Sequence, residues 1–424
     1  MTAEQPKIEN APGLKWKARA KGRWEAWWRP RRDLVGKGYP KTMHRLWTGI
    51  EPSEMDRKWI SDRCNFMQNE MLVWGRGGIP DVATFDHTMR GLINCYQTDK
   101  DSPFHKLRYH SRRGYTRTLK RIVAKHGETA LADIKVRTLI GWHQEWSAGG
   151  KISMGHGFIA MVRTIINFGA TYYEDKDCER ISGILHRQRF KMAKRRESFL
   201  TADQAIDVRN RALATGLASV ALAQAFQFEG TLRQKDIIGE WVPYEEPGTS
   251  EVHHAGMKWL RGIRWTEIDT NLILRHETSK REKEIVIDLK LAPMVLEELA
   301  RSYPGSVDVT MQGITVRREL LPASGPIIVN QRLGRPFNDT TFRIAWRKIA
   351  KEAGVPASVW NMDTRAGAIT EATDADVPLE DVRHAATHSN ISTTQGYSRS
   401  KEKKTAKVMR LRVAARNKSG TNVA

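Results

Sequence analysis

Arg365, His388 and Tyr397 fall within one run, TRAGAITEATDADVPLEDVRHAATHSNISTTQGYSR, and Arg233 stands far upstream in GTLRQKDIIG. Two guanidinium groups, an imidazole and a phenol form a set that can break a DNA phosphodiester without a metal ion. The phenol attacks phosphorus, while the cations and the imidazole hold the negative oxygens of the crowded transition state. His388 precedes Tyr397 by nine residues, with Thr393 and Thr394 in the lead-in to the tyrosine.

The whole chain suits a polyanionic substrate. Its 424 residues carry a net charge of +22 and a pI near 10.0, with the basic excess spread from end to end. Such a field draws nucleic acid first and an anionic membrane surface second. Membrane association fits poorly, because the sequence shows no apolar run of about 18 residues and no charged-then-apolar leader. Cys64, Cys95 and Cys178 are far apart and read as reduced, incidental thiols of a cytoplasmic protein. No metal site is expected: His253 and His254 lie in a polar loop without nearby Cys or acid ligand spacing, and His384 with His388 lacks a third ligand.

A chain of this length requires more than one core. Residues 1–50 hold twelve Lys/Arg against four Asp/Glu, interleaved with Trp16, Trp24, Trp27, Trp28 and Trp47. This reads as a small basic module in which some rings form a core while Arg29, Arg31 and Arg32 face phosphate. A helical period over 51–78 follows. From about 80 to 190 the pattern is helical throughout. One basic amphipathic stretch, 102–127, sets Lys106, Arg108, Arg112, Arg113, Arg117, Lys120, Arg121 and Lys125 beside Leu107, Tyr115, Leu119 and Ile122. FKMAKRRESFLT reads as a linker, and Thr201 with Gln204 forms a capping box that opens the next helix. GIRWTEI, NLILRHE and EIVIDL suggest a small antiparallel sheet, and PIIVN a short strand. LAPMVLEELARSY and TTFRIAWRKIAKEAG suggest helices, the second ended by Gly354, with helix continuing to about residue 415.

The spacing and wording of these motifs resemble the tyrosine recombinases, the phage integrase family, over roughly residues 80–415. In GTLRQKD the resemblance implies that Arg233 grips a non-bridging oxygen of the scissile phosphate and Asp236 orients it. It implies a general-acid lysine on a hairpin turn, best matched by Lys280 in HETSKREKEIVIDL, with Lys283 as the alternative. The family's H-x-x-R motif matches NMDTR, with Arg365 in place. Met362 stands where the histidine belongs, and a thioether cannot accept the tyrosine proton. In THSNISTTQGY the resemblance implies that His388 donates to a non-bridging oxygen and that Tyr397 forms a 3′-phosphotyrosyl bond. Thr387 replaces the usual glycine before the histidine.

The fold expected is multidomain and mainly α, with a small antiparallel sheet in an α+β catalytic domain. Its parts are a Trp-rich basic N-terminal module with a connecting helix (1–78), a helical core DNA-binding domain (79–190), a linker (191–200), a catalytic domain (201–400) and a basic tail (401–424). The resemblance implies a clamp around duplex DNA and a homotetramer on attachment sites. The function expected is site-specific recombination by the integrase of a prophage or integrative element, with no cofactor. A directionality factor and a host DNA-bending protein are the helpers it admits, and the bacterial nucleoid is the expected location. The rival readings are a dimer-resolving recombinase, a catalytically impaired DNA-binding protein (which Met362 invites) and a non-specific architectural protein.

Overall fold

The computed structural model of the chain describes residues 5–39, 43–75, 85–310, 313–399 and 401–420. It divides into two compact units, Met1–Ala193 and Lys194–Ala424.

The first unit opens with strands β1 (Leu14–Arg19), β2 (Arg23–Trp28) and β3 (His44–Gly49), an antiparallel sheet in the order β1-β2-β3. A short helix, α1 (Arg32–Gly36), lies between β2 and β3. The register places Trp16 and Trp47 on either side of Ala26, so the two rings meet edge to face at 6.0 Å. Helix α2 (Glu54–Gly75) starts where the Asp56 carboxylate accepts the Ser53 N–H at 3.0 Å, a local cap. Its Ile60, Cys64, Met67 and Met71, spaced for one face, pack into a core with Trp28, Leu34 and Tyr39. The tryptophan-rich segment is thus a small sheet, and α2 completes its core. Residues 76–78 of the expected connecting helix lie outside the described residues.

Five helices follow: α3 (Met89–Thr98), α4 (Tyr109–His126), α5 (Val136–Trp146), α6 (Ile152–Tyr172) and α7 (Lys176–Arg187). They share a separate core that includes Leu92, Leu119, Ile122, Trp142, Phe158 and Ile165. The basic helix begins later than its pattern suggests. Residues 102–107 form successive tight turns, with the N–H groups of His105, Lys106 and Leu107 bonding three residues back. Lys106 and Arg108 therefore precede the helix. The cause is Pro103 together with Ser102, whose hydroxyl donates to the Tyr96 carbonyl at 2.6 Å and ties the turn to α3.

In the second unit, Thr201 and Gln204 form the expected box at the start of α8 (Ala202–Ala214). Helix α9 (Ala218–Glu229) is buried from Ser219 to Phe228 and is the axis of the largest core. The short α10 (Gln234–Ile238) leads into β4 (Glu240–Pro243), β5 (His253–His254) and β6 (Met257–Leu260), ordered β4-β6-β5. Strands β7 (Ile273–Glu277) and β8 (Glu284–Asp288) form a hairpin.

Two expectations fail here. GIRWTEI is not a strand, because Glu267 turns back to accept the Arg264 N–H at 2.9 Å and winds Trp265–Glu267 into a 3-10 turn. His253 and His254 lie in β5 rather than in a loop. Helix α11 (Pro293–Ser302) has proline at its start, and the hairpins β9 (Val307–Thr310) with β10 (Gly313–Val316) and β11 (Val329–Asn330) with β12 (Arg335–Pro336) follow. The unit continues with α12 (Asp339–Glu352), α13 (Asp363–Asp374), α14 (Leu379–Ala385), α15 (Ile391–Tyr397) and α16 (Lys401–Gly420). On α16, Val408, Met409, Leu411 and Val413 are exposed. The chain is therefore mainly helical with small antiparallel sheets.

Candidate active site

Because α9 is buried along nearly its whole length, the segment that leaves it is fixed in place. Arg233 caps α10, and Asp236 beside it is fully buried. One oxygen of Asp236 accepts the Arg233 N–H at 3.1 Å and lies 3.9 Å from Arg233 Nη1. The other accepts the Ser279 N–H at 2.7 Å. Ser279 precedes Lys280 in the β7–β8 turn, whose neck is closed by the Thr278 N–H donating to the Lys283 carbonyl at 2.9 Å. A single desolvated carboxylate thus ties Arg233 to the lysine turn. Lys283 belongs to the neck, whereas Lys280 and Arg281 are exposed at the tip.

Arg365 sits in the first turn of α13 and is 4 % exposed. Its Nη1 donates to the Thr231 carbonyl and its Nη2 to the Ala386 carbonyl. Nη2 also approaches His388 Nε2 at 3.1 Å. Arg365 Nε and Arg233 Nη1 are buried and make no hydrogen bond among the described residues. Burial, then the charge of Arg233, pushes the Arg365 guanidinium down to about 10, against the pull of Tyr397 and Asp236. Two like charges with unmatched buried donors are costly unless an anion joins them. A phosphoryl group supplies both the charge and the acceptors.

Helix α14 delivers His388. The Thr387 N–H bonds the His384 carbonyl at 2.8 Å and the His388 N–H bonds the Arg383 carbonyl at 2.9 Å, the Schellman pattern of a helix end. That pattern needs a left-handed residue, and Thr387 has φ +50°. Glycine adopts this conformation freely; a β-branched residue is strained by about 1–2 kcal/mol. Thr387→Gly is therefore expected to raise the melting temperature by about 2–6 °C, read by thermal denaturation. A lowered value would show that Thr387 makes a compensating contact.

His388 is 4 % exposed, and its Nδ1 lies 3.0 Å from Thr394 Oγ1. Its ring stacks on that of Tyr397, with centroids 5.1 Å apart and planes 26° apart. Burial, then the charges of Arg365, Arg233, Arg281 and Lys280, depresses the imidazole from 6.5 to about 4. The folded state therefore binds no proton here between those values while the unfolded state does. Stability from this group is complete above pH 6.5 and is lost as pH falls to about 4, a difference of about 3 kcal/mol. Denaturant melts of the unmutated protein and His388→Asn should diverge in this window, with the variant less acid-sensitive.

Tyr397 ends α15 and is stapled to α13. Thr370 Oγ1 lies 3.1 Å from the Tyr397 carbonyl and accepts the Arg399 N–H at 3.1 Å. The hydroxyls of Thr373 and Ser398 meet at 2.6 Å. The Arg399 guanidinium donates to Asp363 at 3.0 Å and to the Ser198 carbonyl. Asp363, fully buried, also pairs with Arg196 and accepts the Trp360 N–H at 2.9 Å. Met362 is 58 % exposed.

The structure therefore brings together Arg233, Asp236, Arg365, His388 and Tyr397, with the Lys280 turn tied in through Asp236. Sequence reasoning missed Thr394, Arg281, Arg399 and Arg196. The TT step and the dense basic residues of SKREK, AKRRES and GYSR were visible, but not what they touch.

The basic residues singled out in the first unit differ in setting. Arg113, Arg117, Lys120 and Arg121 are exposed on α4, with Arg121 also lying over the Phe158 ring at 5.0 Å. Arg112 is half-buried and donates to the Leu107 carbonyl, so it braces the turn before the helix. Arg32 is exposed, Arg29 half-buried, and Arg31 pairs with Asp33 at 2.8 Å. Among the described residues no cluster of three or more His, Cys, Asp or Glu could hold a metal, and no helix is long and apolar enough to cross a membrane.

A mainly helical scaffold thus carries two arginines, an imidazole and a tyrosine in one site. Residues 257–404 match the phage integrase family, so the chain carries a domain of that family. Solved structures agree in fold. A lambda integrase dimer bound to a COC′ core site is 15 % identical, with 93 % of this chain and 96 % of that one covered and a TM-score of 0.52. Lambda integrase residues 75–356 bound to DNA give 13 % identity, 74 % and 97 % coverage and a TM-score of 0.54. A lambda integrase tetramer bound to a Holliday junction gives 14 %, 93 % and 97 %, and 0.50. A search of curated protein sequences finds no match.

Proposed function

We propose that this protein is a site-specific DNA recombinase, the integrase of a prophage or integrative mobile element. The observation that carries the reading is the meeting of Arg233, Arg365, His388 and Tyr397 around buried, unmatched cationic donors. Tyr397 Oη attacks phosphorus, the bond from phosphorus to the 5′ oxygen breaks, and Lys280 protonates that oxygen. The resulting 3′-phosphotyrosyl bond keeps the energy of the phosphodiester, so a new 5′ hydroxyl can reverse the step without ATP. The arginines supply the charge stabilisation a metal would otherwise give.

The substrate is double-stranded DNA at attachment sites, in the bacterial nucleoid, with four protomers exchanging strands in pairs. The basic face of α4 and the tryptophan-rich sheet give the unit beginning at residue 1 its phosphate contacts. The exposed apolar residues of α16 are suited to packing against a neighbouring protomer. A directionality factor and a DNA-bending protein complete the assembly.

The test is a nicked duplex spanning the end of the element, incubated with protein and EDTA and run on a denaturing gel. A covalent adduct that disappears in Tyr397→Phe supports the proposal. Specific binding by the unmutated protein with no adduct would establish the second reading, an impaired DNA-binding protein, which the exposed Met362 favours.

A further inference from the structure

Met362 leaves the tyrosine without its usual neighbouring imidazole, and the site itself indicates another acceptor for the proton. Asp363 is adjacent in sequence but committed to Arg196 and Arg399. His388 is different. Arginine is a donor only, so the contact of 3.1 Å from Arg365 Nη2 requires a lone pair on His388 Nε2. The ring is then neutral, its proton lies on Nδ1, and Nδ1–H donates to Thr394 Oγ1 at 3.0 Å. Were Thr394 the donor instead, Nε2 would carry the proton and face Arg365 donor to donor. Arg365 thus fixes the tautomer, the buried Thr394 hydroxyl accepts its Nδ1 proton, and the ring so held lies against Tyr397.

We infer that His388 Nε2 is the base that takes the Tyr397 proton, and that Thr394 is the positioning residue that keeps the ring proton on Nδ1 and Nε2 unprotonated. The inference rests on the recombinase reading above. As Tyr397 swings off the ring face toward phosphorus, Arg365 Nη2 turns from Nε2 to a phosphoryl oxygen, and the phenol proton passes to the freed Nε2 lone pair while the bond from Oη to phosphorus forms. The bond to the 5′ oxygen breaks, and that oxygen takes a proton from Lys280. The imidazolium then donates from Nε2 to a phosphoryl oxygen, and on reversal it returns the proton to the departing tyrosyl oxygen. Arg365, Thr394 and Tyr397 contact the imidazole, and the charges of Arg233, Arg281 and Lys280 also act on it. The four cations hold it unprotonated in the free protein. A phosphodiester among them offsets their charge and makes the ring more basic when the base is needed.

The experiment is single-turnover adduct formation by the full chain across pH, on a nicked duplex whose scissile leaving atom is 5′ sulfur. A thiolate leaves without a general acid, so the pH dependence reports the base. The unmutated protein should lose rate on the acid side, and His388→Gln should lose that acid limb together with about 100-fold in rate. Met362→His added to His388→Gln should restore part of the rate. Thr394→Ala should slow the step roughly tenfold, the worth of one hydrogen bond, with Thr394→Ser recovering it. A cooperative melting transition for each variant above pH 6.5, where the imidazole adds no pH dependence to stability, excludes misfolding as the cause. A uniformly slower His388→Gln that keeps the acid limb would overturn the inference and leave His388 only a phosphate donor. No adduct from the unmutated protein would instead remove the recombinase reading, and this inference with it.

Discussion

Arg365→Ala is expected to slow phosphotyrosyl formation by about 10²–10³-fold, the usual cost of one oxyanion donor in a preorganised site. The side chain also has a structural function. Its two Nη groups satisfy the Thr231 and Ala386 carbonyls, which lie two residues before Arg233 and His388 respectively. Alanine leaves both carbonyls without these donors, so a loss of about 1–3 kcal/mol in stability should accompany the kinetic loss. Arg365→Lys separates the two effects. It keeps a charge but cannot reach two carbonyls, His388 and a phosphate together. Single-turnover cleavage and thermal melts of both variants give the comparison. Full-speed cleavage by Arg365→Lys would show that the guanidinium fork is not what the reaction uses.

Gly367→Ala should cost the second unit about 3 kcal/mol, and its melting temperature about 10 °C. Gly367 lies two residues after Arg365 on α13. A Cβ there would fall 1.8 Å from the Leu200 carbonyl oxygen. That oxygen is backbone, and the Leu200 N–H is itself held by the Asp363 carbonyl at 3.2 Å. No side-chain rotation relieves the overlap, so the segment or the helix must move by more than 1 Å. Strand cleavage should fall too, because the same helix carries Arg365. Gly157→Ala in α6 is the control: none of the described residues lies within 4 Å of its Cβ position, and helix propensity predicts about 0.5–1 kcal/mol of stabilisation. Equal melting curves for Gly367→Ala and the unmutated protein would contradict the packing described.

The parts of this site legible in sequence are those set by local chemistry. The nine-residue step from His388 to Tyr397 was visible because a helix end and one short helix fill it. The box at Thr201 and the proline opening α11 likewise mark their helices through neighbours a few residues away. What was illegible depends on distant partners. Strands β4, β5 and β6 are two to four residues long, too short for alternation to register. The roles of Asp363 and Arg399 come from ion pairs spanning 36 and 167 residues. The start of α4 was misplaced because a basic pattern continues through a turn that only Ser102 and Tyr96 reveal. Even the strain at Thr387 was half visible: the missing glycine showed in the sequence, its φ of +50° only in the fold.

The threonine staple between α13 and the segment Tyr397–Arg399 bears on ownership of the nucleophile. The helix that carries Arg365 also holds the amide of Arg399 through Thr370 and the hydroxyl of Ser398 through Thr373. Donating the tyrosine to a neighbour would break these bonds and the Arg399–Asp363 pair. In mixed assemblies, then, a protomer lacking Tyr397 and one lacking Arg365 should fail to rescue one another, and each strand cut should trace to a single intact chain.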